Sequence, residues 1–149
     1  MHQVPVISLA AFNENRLAPS ELEALAVAAE DHGFFLLSDH GADQLIADVF
    51  SVSAEFFAQP HEVKSQVRRD ELNPLGYFDR ELTKQKRDLK EVYDFKAGGY
   101  ISSNPAKQTR WPATPTHLEE TLRRFFVTFT ELSDQTMRMV FTAPACRGQ

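Results

Sequence analysis

The chain has 149 residues, of which 42% are hydrophobic and 25% are charged, which is typical of one globular domain and unlike a disordered chain. Its formal net charge of -5, with both signs interspersed, argues against binding to nucleic acid, which favours a concentrated basic surface. The single cysteine excludes an internal disulfide, and the lack of a secretory leader or a long apolar run predicts a cytoplasmic protein without a membrane span.

The first third of the chain is predicted to contain a strand, a helix, a second strand and a second helix. Residues 4–9 fit an edge strand, and the apolar residues 34–37 fit a strand that is buried on both faces. Between them a capping box at Ser20 begins a helix that Gly33 ends. This order predicts two strands of one sheet joined by a crossover helix. Asp43 then caps a helix whose apolar side is formed by Ile46, Val49, Phe50, Ser53, Phe56 and Phe57.

The second strand ends in Asp39, His40 and Gly41, and these residues allow two interpretations. A metal site would need further ligands close by, which the sequence does not nominate. Local hydrogen bonds from Asp39 and His40, with Gly41 turning the chain, account for all three residues, so a turn is the preferred interpretation. A remote alternative is a metal-binding protein that uses His32, His40 and His61.

Residues 61–110 are polar and less periodic than the rest of the chain. The mixed-sign run at residues 79–91 predicts a solvated face. The alternation of Tyr93 and Phe95 with polar neighbours indicates a strand. A loop is expected around Trp111, the only tryptophan.

A second capping box, from Thr116 to Glu119, begins a long final helix. His117 and Glu119 also form a His-x-acid pair of the kind used by non-haem iron sites, but no histidine follows, so capping by Glu119 is preferred. The pattern fails after Val140, which divides the chain into a domain of residues 1–140 and an irregular tail, 141–149. Cys146 lies in that tail, and no catalytic residue is predicted. The helix carries an apolar stripe formed by Leu118, Leu122, Phe125, Phe126, Phe129, Leu132 and Val140.

Six segments in chain order resemble the N-terminal region of the 2-oxoglutarate/Fe(II)-dependent dioxygenases, the isopenicillin-N-synthase-like, non-haem dioxygenase family. VPVISL resembles the family's opening VPVIDL, and GFFLLSDHG resembles its GFF-x-x-x-NHG. FFAQPHEVK is similar to FF-x-LP-x-E-x-K, and DLKEVYDF is similar to D-x-KE-x-FD. The pair Gly76-Tyr77 stands where the family has GY, and Asn104 through Trp111-Pro112 resembles N-x-WP.

The resemblance implies an α/β fold, a small open sheet with three main helices, which is the N-terminal part of a double-stranded β-helix whose barrel core is missing. A complete member would hold Fe(II) in a His-x-Asp...His site, bind 2-oxoglutarate and oxidise a C–H bond of a small molecule. No position of this chain inherits those roles, so it is expected to bind neither cofactor alone and to be inactive alone. Because the family's long helix normally continues where this one stops, the resemblance also implies that the tail, 141–149, results from truncation or frameshift. In some family members side chains near the Gly-Tyr segment face the substrate, so the resemblance makes Asn73 and Phe78 candidates for the wall of a substrate pocket. The preferred alternative is that they are ordinary loop and core positions.

An alternative to a part of an enzyme is a stand-alone protein-interaction module that docks through the apolar face of the last helix. Both interpretations predict an uncovered apolar surface, and therefore self-association or a partner that covers Phe125, Phe126 and Phe129. The isolated chain is accordingly expected to be marginally stable or to self-associate.

Overall fold

The structure, a computed structural model, describes residues 4–31, 33–83, 86–97 and 101–144. The chain divides into two compact units, the first formed by Met1–Asp43 with Thr128–Gln149 and the second by Gln44–Val127. Five α-helices and six short strands occur in the described residues, and these strands close no barrel. None of the described helices is both long enough and apolar enough to cross a membrane.

The first unit is built on strands β1 (Val6–Ser8) and β2 (Leu36–Ser38), which pair in parallel. Helices α1 (Leu9–Asn13) and α2 (Pro19–Asp31) connect them, which confirms the predicted crossover. One face of the pair packs on a core that contains Ile7, Leu25 and Met139.

The prediction that the second strand is buried on both faces is wrong for the described structure. Successive side chains of a strand point to opposite faces, so Ile7 and Leu37 face the core while Val6 and Leu36 face outward. Val6 and Leu36 are register partners, and they are 57% and 55% exposed. The outer face of this strand pair is therefore an apolar surface.

The beginning of α2 differs from the predicted capping box, whereas its end agrees. Pro19 occupies the first helical position, where a missing N–H costs nothing, so Ser20 lies inside the helix. The Glu21 carboxylate instead accepts a hydrogen bond from the backbone N–H of Ala18, at 2.8 Å. Gly33 ends the helix as predicted, with φ of +72° and its N–H donating to Ala28 O at 2.9 Å.

The second unit packs helices against a short antiparallel strand pair, β3 (Gly76–Phe78) with β6 (Val92–Asp94). Helices α3 (Asp43–Phe57) and α4 (His61–Ser65) precede it, and a one-turn 3-10 helix, Pro105–Lys107, follows. Strand β6 confirms the strand predicted around Tyr93. The core of this unit consists of Val52, Phe56, Val67, Tyr77, Leu118 and Leu122.

The predicted single open sheet is replaced by three two-stranded sheets, the third formed by β4 (Leu82–Thr83) and β5 (Lys86–Arg87). The edge of β3 away from β6 is occupied by non-strand backbone. Tyr77 N–H donates to Val67 O at 2.9 Å, and Arg69 N–H donates to Tyr77 O at 3.0 Å. This local pairing uses the hydrogen-bonding groups with which β3 could bind another strand.

The predicted apolar side of α3 is confirmed in part, since Phe56 is buried and Val49 packs against the core. Leu45, Val52 and Phe56 are buried, whereas Phe50, predicted to lie on the apolar side, is 74% exposed. Both arcs of this helix carry large apolar residues, so periodicity alone did not decide which arc packs inward.

Helix α5 (Leu118–Thr142) begins within two residues of its predicted start and extends two residues beyond Val140. Leu118 and Leu122 belong to the core of the second unit, and Met139 belongs to that of the first. The aromatic stripe is half-buried: Phe126 packs edge-on against Phe95, and Phe125 lines an apolar cleft with Phe57. Residues 145–149 of the predicted tail, with Cys146, lie outside the described residues.

Candidate functional site

The Asp39-His40-Gly41 segment forms a turn between β2 and α3. The Ala42 N–H donates to His40 Nδ1 at 3.1 Å, and Ser38 Oγ donates to Asp39 Oδ2 at 3.1 Å. Asp39 and Gly41 have φ angles of +52° and +70°, the left-handed conformation that Asp tolerates and Gly favours. These contacts confirm the turn interpretation.

The described residues contain no group of three or more His, Cys, Asp or Glu side chains that could hold a metal ion. His32, part of the remote metal hypothesis, lies outside them. His117 and Glu119 are engaged separately, since His117 Nε2 lies 3.6 Å from Glu55 and Glu119 binds Arg123 at 2.8 Å. The Glu119 carboxylate thus pairs with an arginine one turn later, and its capping of the last helix stays a prediction. This part of the chain does not fit an Fe(II) site.

The clearest polar cluster of the second unit surrounds Tyr77, and we call Lys64, Tyr77 and Glu91 the Tyr77 network. Lys64, on α4, is only 6% exposed. Its ammonium group donates to the two carboxylate oxygens of Glu91 at 2.8 and 2.7 Å and to Phe57 O at 2.9 Å, which uses all three of its protons. The buried Tyr77 hydroxyl donates to Glu91 Oε1 at 2.5 Å.

The protonation states of the Tyr77 network are strongly fixed. Hydrogen bonds from Lys64 and then from Tyr77 lower the pKa of Glu91. Burial, followed by the hydrogen bond to Glu91, raises the pKa of Tyr77 far above its ordinary value. At neutral pH the carboxylate is therefore charged and the phenol neutral, so neither group is poised to transfer a proton. The network is suited to joining α4, β3 and the start of β6.

A second polar cluster forms around Asp79, which is nearly buried directly after β3. Asp79 Oδ2 lies 3.0 Å from His61 Nε2. Asp79 Oδ1 lies 2.8 Å from Arg68 Nη1, and it makes no well-aligned hydrogen bond with the described residues. Burial opposes ionisation, but the hydrogen bond with His61 and the close Arg68 guanidinium outweigh it and lower the pKa of Asp79. Asp79 and Glu91 bound the run predicted as a solvated face. That prediction is wrong at Asp79, which is buried and paired with cations, whereas Glu91 is exposed even though its carboxylate pairs with Lys64.

Asn73 and Phe78, predicted to face a substrate, occupy different surroundings. Asn73 is 1% exposed, its amide donates to Gln108 O at 2.8 Å, and its Oδ1 accepts from the Leu75 N–H at 3.0 Å. Phe78 is half-buried beneath the Arg69 guanidinium, which lies 3.5 Å from the ring centre. The amide of Asn73 is thus engaged with loop backbone, and substrate contact by either residue stays a prediction.

The residues of the Tyr77 network were not identified as interacting by sequence reasoning. Lys64 and Glu91 are 27 positions apart, so neither charge pattern nor periodicity connects them. A usable signal did exist: all three residues lie in segments that resemble the dioxygenase family. Their geometry indicates that those family motifs maintain the fold of this unit.

The chain matches, over residues 4–114, the family described as "non-haem dioxygenase in morphine synthesis N-terminal". It is 36% identical over 112 residues to gibberellin 20 oxidase 4 of Arabidopsis thaliana, an alignment that covers 72% of this chain and 30% of that protein. It is 27% identical over 127 residues to S-norcoclaurine synthase 1 of Coptis japonica, covering 83% of this chain and 35% of that protein. The chain thus spans about a third of the length of these relatives.

Among solved structures, the fold resembles that of a putative 2OG-Fe(II) oxygenase family protein from Caulobacter crescentus. The TM-score is 0.76 at 20% identity, and the match covers 96% of this chain and 49% of that chain. At this identity the likeness concerns the fold alone.

Proposed function

The chain belongs to the family of non-haem dioxygenase N-terminal regions, and on that premise we propose that it is the N-terminal portion of a 2-oxoglutarate/Fe(II)-dependent oxygenase. The complete enzyme would hydroxylate, or otherwise oxidise at a C–H bond, a small molecule. The observation that carries the proposal is the family match over residues 4–114. The name of one relative, gibberellin 20 oxidase 4, denotes oxidation of a small molecule and supports the substrate class.

We assign this portion a supporting role and no metal ligand. The described residues offer no three-ligand cluster, so Fe(II) and 2-oxoglutarate would be held by parts of a complete enzyme outside these residues. The motif residues Lys64, Tyr77 and Glu91 instead form a saturated internal network, which would keep the unit rigid while chemistry takes place elsewhere. On this proposal the 149-residue chain alone is inactive.

The proposal is tested by measuring succinate formed from 2-oxoglutarate with Fe(II) and oxygen. The 149-residue chain alone is expected to give no succinate above an iron-free blank. A chimera in which it replaces the matching N-terminal part of the Caulobacter crescentus protein is expected to retain iron-dependent turnover. Turnover by the lone chain would refute inactivity, and a folded, iron-loaded chimera without turnover would refute the assigned role.

A second candidate function, a protein-interaction module, is favoured by exposed apolar residues on α5. Met137 and Phe141 are exposed, and at about 100° per residue they fall within an arc of about 40° on the helix surface. This candidate would be favoured if the chain bound a partner protein tightly without metal and if Met137→Lys weakened that binding. Association that is unchanged by Met137→Lys would exclude this helix face.

We also propose a cytoplasmic location. The single cysteine suits a reducing compartment, where disulfides are rare. Fractionation of cells that produce the chain, with compartment markers, would test this, and recovery with the membrane or secreted fraction would contradict it.

A further inference from the structure

The second unit contains a polar cavity of about 210 Å³, separate from the Tyr77 network. Its walls come from Leu75, from the segment that follows β6, from the loop that contains the 3-10 helix, and from the first turns of α5. The charged residues among its lining are Lys96, Lys107, Arg123 and Glu119. Three cations and one carboxylate thus surround one cavity in a chain whose net charge is -5.

The positive charge of this cavity is only partly neutralised from within. Arg123 binds Glu119 at 2.8 Å, so these two charges compensate each other. The ammonium groups of Lys96 and Lys107 form no ion pair in the described part of the chain. Two positive charges therefore remain available to a ligand.

The walls that carry the two lysines are held in place by hydrogen bonds. The Lys96 backbone N–H donates to Thr109 Oγ1 at 2.9 Å, and Thr109 Oγ1 donates to Lys96 O at 3.1 Å. The 3-10 helix that carries Lys107 is capped by Asn104, which accepts from the Ala106 N–H at 3.0 Å. Asn73 holds the same loop in place by donating to Gln108 O at 2.8 Å. Because these contacts already order the loop, a ligand would lose less free energy in ordering it.

One side of the cavity is aromatic. Trp111 lines it and is supported from the core by Tyr93 and Phe95, whose ring centres lie 6.1 and 5.8 Å from that of the indole. The Arg123 guanidinium lies 5.2 Å from the Trp111 ring centre, which further fixes the orientation of both groups. The cavity lining therefore combines the Trp111 indole with two exposed lysines, Lys96 and Lys107, whose ammonium groups form no ion pair with the described residues.

We propose that this cavity binds a small phosphate monoester with a compact, flat organic group. The phosphate would contact Lys96 and Lys107, which bind phosphate as compact point charges, and the organic group would lie against Trp111. A phosphate monoester carries nearly two negative charges at neutral pH and so matches the two uncompensated lysines. This site is independent of the oxygenase chemistry proposed above and requires no metal.

The proposal is tested with the full 149-residue chain by titrating phenyl phosphate and inorganic phosphate at constant ionic strength. Trp111 is the only tryptophan and lines this cavity, so a ligand bound there is expected to change its fluorescence. We expect a saturable change with phenyl phosphate, and about fivefold weaker binding of inorganic phosphate, which lacks the stacked ring. The double variant Lys96→Gln/Lys107→Gln is expected to bind phenyl phosphate about tenfold more weakly or worse.

The matched control is Lys86→Gln/Lys90→Gln, which removes the same charge outside the cavity lining and is expected to leave binding unchanged. Amide NMR shifts confined to residues around Thr109 and Trp111 would locate the site independently and verify that each variant is folded. The proposal is overturned by a non-saturable response equal to that of sodium chloride, by equal weakening in both double variants, or by equal affinity for the two phosphates.

Discussion

At the scale of single residues, the ammonium group of Lys64 makes the Tyr77 network sensitive to substitution. It is buried, and all three of its protons are donated, two to Glu91 and one to Phe57 O. Removing one member of a buried ion pair leaves the other charge uncompensated, which costs more than the intact pair contributes to stability. The network should therefore tolerate no single replacement of Lys64, even by a side chain of similar length.

We expect Lys64→Met to lower the free energy of unfolding by roughly 2 kcal/mol. Loss of one partner from a fully buried ion pair would cost more, but the Glu91 side chain is 33% exposed and solvent screens its charge. Urea denaturation followed by Trp111 fluorescence measures this in the same unit. Lys90→Met, at an exposed lysine nearby, should change stability by less than about 0.5 kcal/mol. A loss no larger than that of the control would mean that the ammonium group contributes nothing.

At the scale of elements, β3 depends on the absence of a side chain at Gly76. Its φ is +117°, and a Cβ built there would lie 2.2 Å from the backbone oxygen of Val67. That oxygen accepts the hydrogen bond from Tyr77 N–H which closes the edge of β3. Glycine is thus required both for the backbone conformation and for the close approach of two chain segments.

Gly76→Ala should therefore lower the free energy of unfolding by about 3 kcal/mol or more, because the backbone of Val67 must move. Gly41→Ala is the matched control: its φ is +70°, but a Cβ there meets nothing within 4 Å, so only conformational strain of about 1 kcal/mol is expected. Chemical denaturation of both variants gives the comparison. Equal losses would show that steric contact with Val67 is unimportant.

The sequence could predict those parts of the fold and of the candidate site that depend on signals between neighbouring residues. The crossover between β1 and β2 was predictable because apolar runs and Gly33 mark it locally. The pairing of β3 was not, because the contact of Tyr77 with Val67 and the register with β6 depend on segments distant in sequence. The Tyr77 network was missed for the same reason, and only its membership in family-like segments marked its residues.

At the scale of the whole molecule, the exposed outer face of the β1–β2 pair favours self-association in solution. Val6 and Leu36 lie side by side in register and are exposed, although parallel strands are ordinarily covered on both faces. Phe141, near the end of α5, adds a further exposed apolar side chain in the same unit. Burial of such surface between molecules is favourable at about 25 cal/mol per Å² of apolar area.

We therefore expect the isolated chain to self-associate reversibly, with a sedimentation coefficient and a melting temperature that rise with protein concentration. Leu36→Lys should shift this equilibrium toward the monomer, since it places a charge in the centre of the apolar face. Phe50→Lys makes the same change at an exposed position on α3 and should have the smaller effect. A monomer with a sharp, concentration-independent melt would contradict self-association. An equal response to the two substitutions would instead locate the contact away from the β1–β2 face, because Leu36 lies on that face and Phe50 does not.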